Sequence, residues 1–106
     1  MLSFIVHAAF RLVAEQLRSG LLTRTFDGPA GEVVVRRLPL GPALCLVPWN
    51  APAPMAAHKV ASALGAGCPV ILKPSEFAPH GSGVLADAAV EIGLPAGVFQ
   101  AVRGGV

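Results

Sequence analysis

The sequence predicts an α/β fold: a partial doubly wound parallel sheet, βαβαβ, preceded by an N-terminal helix and a β-strand excursion. Three observations carry this expectation. Three short, nearly unbroken apolar runs lie at residues 43–47, 70–72 and 98–102. Each reads as a strand buried on both faces. Between them stand two helical segments, each opened by proline and closed by glycine. Finally, the connections are short, which calls for parallel strands joined by right-handed crossovers.

The N-terminal helix is expected over residues 1–19. Ser3, His7, Arg11, Glu15 and Arg18 form one polar stripe at helical spacing, and Val6, Phe10, Val13 and Leu17 form a second, apolar face. Gly20 is placed to stop it. Residues 21–31 contain Asp27-Gly28-Pro29 and Gly31, and read as turn or loop. Glu32 to Leu38 reads as a strand on Val33-Val34-Val35, with Arg36 and Arg37 keeping at least one side wet. Pro39, Gly41 and Pro42 end it.

Ala43-Leu44-Cys45-Leu46-Val47 then forms the first buried strand, stopped by Pro48. A helix follows from about Pro54 to Ala66 and ends at Gly67. Val70-Ile71-Leu72 is the second strand, ended by Lys73-Pro74. Pro79 leads a second helix to Ile92, stopped by Gly93 and Pro95, and Val98 to Val102 is the third strand. This order is half of a doubly wound sheet, of the kind that binds a mononucleotide unit. Ligands of such sheets sit outside the carboxyl ends of the strands. That rule selects Pro48-Trp49-Asn50, Lys73-Pro74-Ser75-Glu76 and Gly104-Gly105.

Composition narrows the function. Hydrophobic residues make up 54% of the 106 residues and charged residues only 13%, with a mean hydropathy of +0.66. Disorder is excluded, because disordered segments are charge-rich and poor in apolar residues. The apolar stretches are interrupted by His7, Arg11, Pro48 and Lys73 before reaching membrane-spanning length. A net charge of +2, clustered nowhere beyond Arg36-Arg37, does not suit nucleic acid. The start of the chain lacks a positive segment before its apolar stretch, and Arg11, Glu15 and Arg18 follow at once. With two cysteines and no disulfide framework, a cytoplasmic location is expected. Neither cysteine has metal spacing, and His7 and His80 have no partners at ligand spacing, so no metal site is expected.

Each candidate site admits two readings. The Asn50 carboxamide can direct N–H donors at an oxyanion developing on a carbonyl, or it makes an Asx turn between prolines while Trp49 packs. Lys73 and Glu76 can grip the two hydroxyls of a ribose, or form a surface salt bridge worth about 0–1 kcal/mol. Lys59, mid-helix between His58 and Val60, either snorkels to solvent or biases the charge of the site. Cys45 reads as inert core, and Cys68 has no charged sequence neighbour to lower its pKa. Neither a GxGxxG after the first strand nor a Walker loop is present.

Taken together, Pro48-Trp49-Asn50-Ala51-Pro52, the helix with Lys59, Leu72-Lys73-Pro74-Ser75-Glu76 and Gly93-Leu94-Pro95-Ala96-Gly97-Val98-Phe99 resemble the aldehyde dehydrogenase superfamily. The likeness spans about residues 36–105, and residues 1–35 look more loosely like that family's preceding helix and its excursion toward the oligomerisation strands. It implies a Rossmann-like cofactor domain over 36–106, an N-terminal helix and excursion over 1–35, and NAD(P)+-dependent oxidation of an aldehyde to a carboxylic acid. NAD is the expected cofactor, with NADP as the alternative. By the same resemblance, Asn50 holds the oxyanion and Lys59 lies near the reaction centre. Val47, Pro48 and Trp49 border the cofactor, while Lys73, Ser75 and Glu76 belong to the motif that contacts its adenosine ribose. The implied partners are an aldehyde and further copies of the full-length chain, with no nucleic acid and no membrane.

Three positions depart from the family's common pattern: Ala51 stands for a phenylalanine, His58 for an aromatic residue and Cys68 for an asparagine. Ala51 resembles members that act on aromatic or other bulky aldehydes. The family's later Phe-Thr-Gly-Ser loop, general-base glutamate and nucleophilic cysteine lie beyond Val106 in the resemblance, and neither Cys45 nor Cys68 stands in the nucleophile's context. The expectation is therefore a fragment, inactive and self-associating by itself. A second class also fits: a non-catalytic remnant kept as a nucleotide-binding or protein-interaction module. Downstream coding DNA with or without the cysteine and glutamate separates the two.

Overall fold

The computed structural model describes residues 2–48, 52–75 and 80–102. Helix α1 spans Leu2–Arg18. It is followed by strands β1 (Thr23–Gly28) and β2 (Gly31–Arg36). Strand β3 (Ala43–Val47), helix α2 (Pro52–Gly65), strand β4 (Val70–Pro74), helix α3 (His80–Glu91) and strand β5 (Phe99–Ala101) complete the order. The last five elements are the predicted βαβαβ unit, with the parallel sheet ordered β3-β4-β5.

All three helices stop in the same way. At the end of α2, Gly67 takes φ +84°, its N–H donates to the Leu64 carbonyl, and the Cys68 N–H donates to the Ala63 carbonyl. This pair of bonds satisfies carbonyls that the helix leaves orphaned, and only glycine enters the left-handed conformation without steric cost. Gly20 and Gly93 close α1 and α3 with the same two bonds.

Within residues 21–31, expected as turn or loop, Thr23–Gly28 and Gly31 correct the expectation. They are not loop: β1 pairs antiparallel with β2, from Thr23↔Arg36 to Gly28↔Gly31, around a two-residue turn at Pro29-Ala30. Thr23, Thr25 and Phe26 favour extended backbone, and Pro29 suits the first central position of a turn. Arg24 and Phe26 share one face of the hairpin, with the guanidinium carbon 5.4 Å from the ring centroid.

The core sits on one face of the parallel sheet. Cys45 and Val47 of β3 and Val70 and Leu72 of β4 pack against Ala56 and Val60 of α2, with Phe10, Leu64, Leu85 and Phe99 around them. Val60 and Leu72 are completely buried. Helix α1 lies along α2, and Val6, Phe10 and Val13 are half-buried while His7, Arg11, Glu15 and Arg18 are exposed. The approach is close at Gly65, where an added Cβ would lie 2.3 Å from Val13 Cγ1.

The opposite face lacks the cover that its apolar strands call for. Leu44, Leu46 and Ile71 are 64%, 56% and 37% exposed, so β3 and β4 are covered on one face only. The cause is topological. The chain steps β3 to β4 to β5 in one direction, and two successive right-handed crossovers in one direction put both helices on the same side.

Lys73 and Pro74 do not end the second strand as expected. They continue β4 in register with Leu46 and Val47. Proline is tolerated there because of the direction in which its nitrogen points. The Val70 N–H donates to Val98 and the Leu72 carbonyl accepts from Val102, so even-numbered residues of β4 face β5. Pairing with β5 ends at Leu72↔Ala101, where Pro74 has no N–H to donate the next ladder bond, while the seam with β3 loses nothing.

Candidate site at the strand carboxyl ends

The carboxyl ends of β3 and β4 lie side by side. Val47 is opposite Pro74 and Leu46 is opposite Lys73. Val47 and Pro74 are buried, Pro48 is exposed, and Lys73 and Ser75 are half-buried. The parallel register thus brings Val47 and Pro48 together with Lys73 and Ser75, 25 to 28 residues further along the chain. Trp49, Asn50, Ala51, Glu76 and Gly104-Gly105 lie outside the described residues.

The ammonium of Lys73 donates to the carbonyl of Pro74 at 2.8 Å. It bonds a neutral acceptor, so its charge remains available at the rim of the strand ends. That donor chemistry suits the hydroxyls of a ribose, and the crevice outside parallel strand ends is where this class of sheet takes its ligands.

Lys59 is placed by α2 on the exposed side of the buried Val60. Its ammonium reaches back 13 residues and donates to the Leu46 carbonyl at 2.5 Å. This contact involves a backbone group, which sequence reasoning about side-chain chemistry does not consider. The available signal was strand alternation: the Ala43 N–H donates to Pro69 of the β4 side, so Leu44 and Leu46 turn their polar groups to the open edge. Burial pushes the Cys45 thiol above its ordinary value of 9.0, more than the positive charge of Lys59 lowers it.

His7 and His58 are exposed. Among the described residues no three histidine, cysteine or acidic side chains gather as a metal site. No helix among them is long and apolar enough to cross a membrane. A groove of about 290 Å³ between α1, α2, α3 and β5 is lined by Val6, Phe10, Leu64, Leu85 and Phe99 among others. It lies away from the strand ends and brings no reactive group except the exposed His7.

A profile of the aldehyde dehydrogenase family matches residues 4–106. The geranial dehydrogenase of Castellaniella defragrans is 40% identical over 105 residues, covering 98% of this chain and 20% of that protein. The succinate semialdehyde dehydrogenase of Acinetobacter baylyi is 43% identical over 76 residues, covering 72% of this chain and 16% of that protein. Among solved structures, the Mycobacterium tuberculosis aldehyde dehydrogenase complexed with NAD+ matches with a TM-score of 0.85 and 36% identity, covering 96% of this chain and 21% of that one. The chain thus spans about a fifth of the length of these relatives. Profile, sequence and fold agree over nearly every residue, and the chain belongs to the aldehyde dehydrogenase family.

Proposed function

We propose that residues 36–106 are the first half of the cofactor domain of an NAD(P)-dependent aldehyde dehydrogenase, with residues 1–35 as its N-terminal helix and hairpin. The whole enzyme oxidises an aldehyde to a carboxylic acid. The observation that carries this reading is the pairing of Val47 with Pro74, which brings Pro48 and Lys73 to the adjacent carboxyl ends of two parallel strands. NAD+, when bound, supplies the hydride acceptor. NAD is favoured because the carboxylate of Glu76, beside a 2′-hydroxyl, would repel a 2′-phosphate.

In this reading Val47, Pro48 and Trp49 border the cofactor. Lys73 and Glu76 hold its ribose hydroxyls, with Ser75 in the same turn. Asn50 donates side-chain N–H to the aldehyde oxygen as negative charge develops on it, a donor worth on the order of 10²–10³ in rate. Lys59 belongs to the surroundings of the reaction centre. The reaction is assigned to the whole enzyme, with the nucleophile outside these 106 residues, since Cys45 is a buried core thiol held protonated by its surroundings.

The test replaces the matching fifth of the geranial dehydrogenase by this chain and compares kinetic constants. Lys73→Ala should raise KM for NAD+, by roughly the 1.5–3 kcal/mol of a hydrogen bond to a charged group, with kcat nearly unchanged. Asn50→Ala should lower kcat on the order of 10²–10³. An Asn50→Ala enzyme with unaltered kcat, or Lys73→Ala affecting only the aldehyde, would overturn these assignments.

A further inference from the structure

We draw no further inference here: the strongest candidate, the apolar groove between α1, α2, α3 and β5 lined by Phe10, Leu85 and Phe99, lies away from the strand ends, and nothing in the structure shows what covers it.

Discussion

The chain by itself is expected to associate through the bare face of β3, and replacing Leu44 and Leu46 together by threonine should weaken that association with the fold intact. The two side chains stand on the bare face of β3, 64% and 56% exposed. Full burial of a leucine is worth about 1.5–3 kcal/mol. At these exposures, contact with another copy would recover about 1–2 kcal/mol from each leucine, or about 2–4 kcal/mol per chain. One decade of affinity corresponds to about 1.4 kcal/mol, so the double variant should weaken association roughly 30-fold to 10³-fold. Threonine preserves the preference for extended backbone, and neither side chain belongs to the core cluster. Light scattering across a concentration series reads the association, and binding of a hydrophobic dye should fall with it. Association unchanged in the double variant, with the circular dichroism of the wild type retained, would refute the reasoning. The sticky surface would then be elsewhere, with the hairpin face of Phe26, Val33 and Val35 next in line.

Other consequences follow from close contacts and burial. Gly65→Ala should lower the denaturant midpoint, because the new Cβ would lie 2.3 Å from the stiff, branched Val13. Overpacking of this kind costs about 1–3 kcal/mol, against about 1 kcal/mol of helix propensity gained. In a Val13→Ala background the same change should become neutral or stabilising, and equal effects in both backgrounds would show that α1 does not press on α2 there. The Cys45 thiol, raised above 9.0 by burial, binds its proton more tightly folded than unfolded. Its contribution is therefore fully present below the unfolded pKa and is lost as pH rises toward the folded one. Urea midpoints should fall with increasing pH above about 9, and Cys45→Ala should flatten that decline.

Much of the fold was legible in the sequence where a single local cause decides it. Gly20, Gly67 and Gly93 were readable as helix stops because the left-handed turn they provide depends on that one residue. The bounds of β3 agree with the apolar run Ala43–Val47, between Pro42 and Pro48. The hairpin was not legible, since β1 is exposed along nearly its whole length and displays no alternation to read. It is specified by pairing with β2, which no window of its own sequence contains. The bare face of the sheet was legible in part, because two crossover helices cannot cover both faces of three apolar strands. An apolar run reports that cover is wanted, and topology decides how much these helices supply. That Pro48 and Lys73 lie at the carboxyl ends of adjacent strands was legible from the apolar runs that precede them. The hold of Lys59 on Leu46 was not, because it joins a side chain to a carbonyl 13 residues away across the fold.

Pro74 divides the sheet in a way that packing alone would not. It pairs with Val47 on one side of β4 and presents a nitrogen without hydrogen on the other. Beyond Leu72 the β4–β5 seam therefore lacks its next donor, whatever sequence follows Ala101, while the seam with β3 runs on to the end of the strand. Side chains can breathe and loops can shift, but a ring closed on its own nitrogen cannot supply the donor. A residue with an N–H in its place would restore the donor for the next bond of the β4–β5 ladder. One imino acid thus limits how far the β4–β5 ladder can run toward the strand ends where the proposed cofactor would bind.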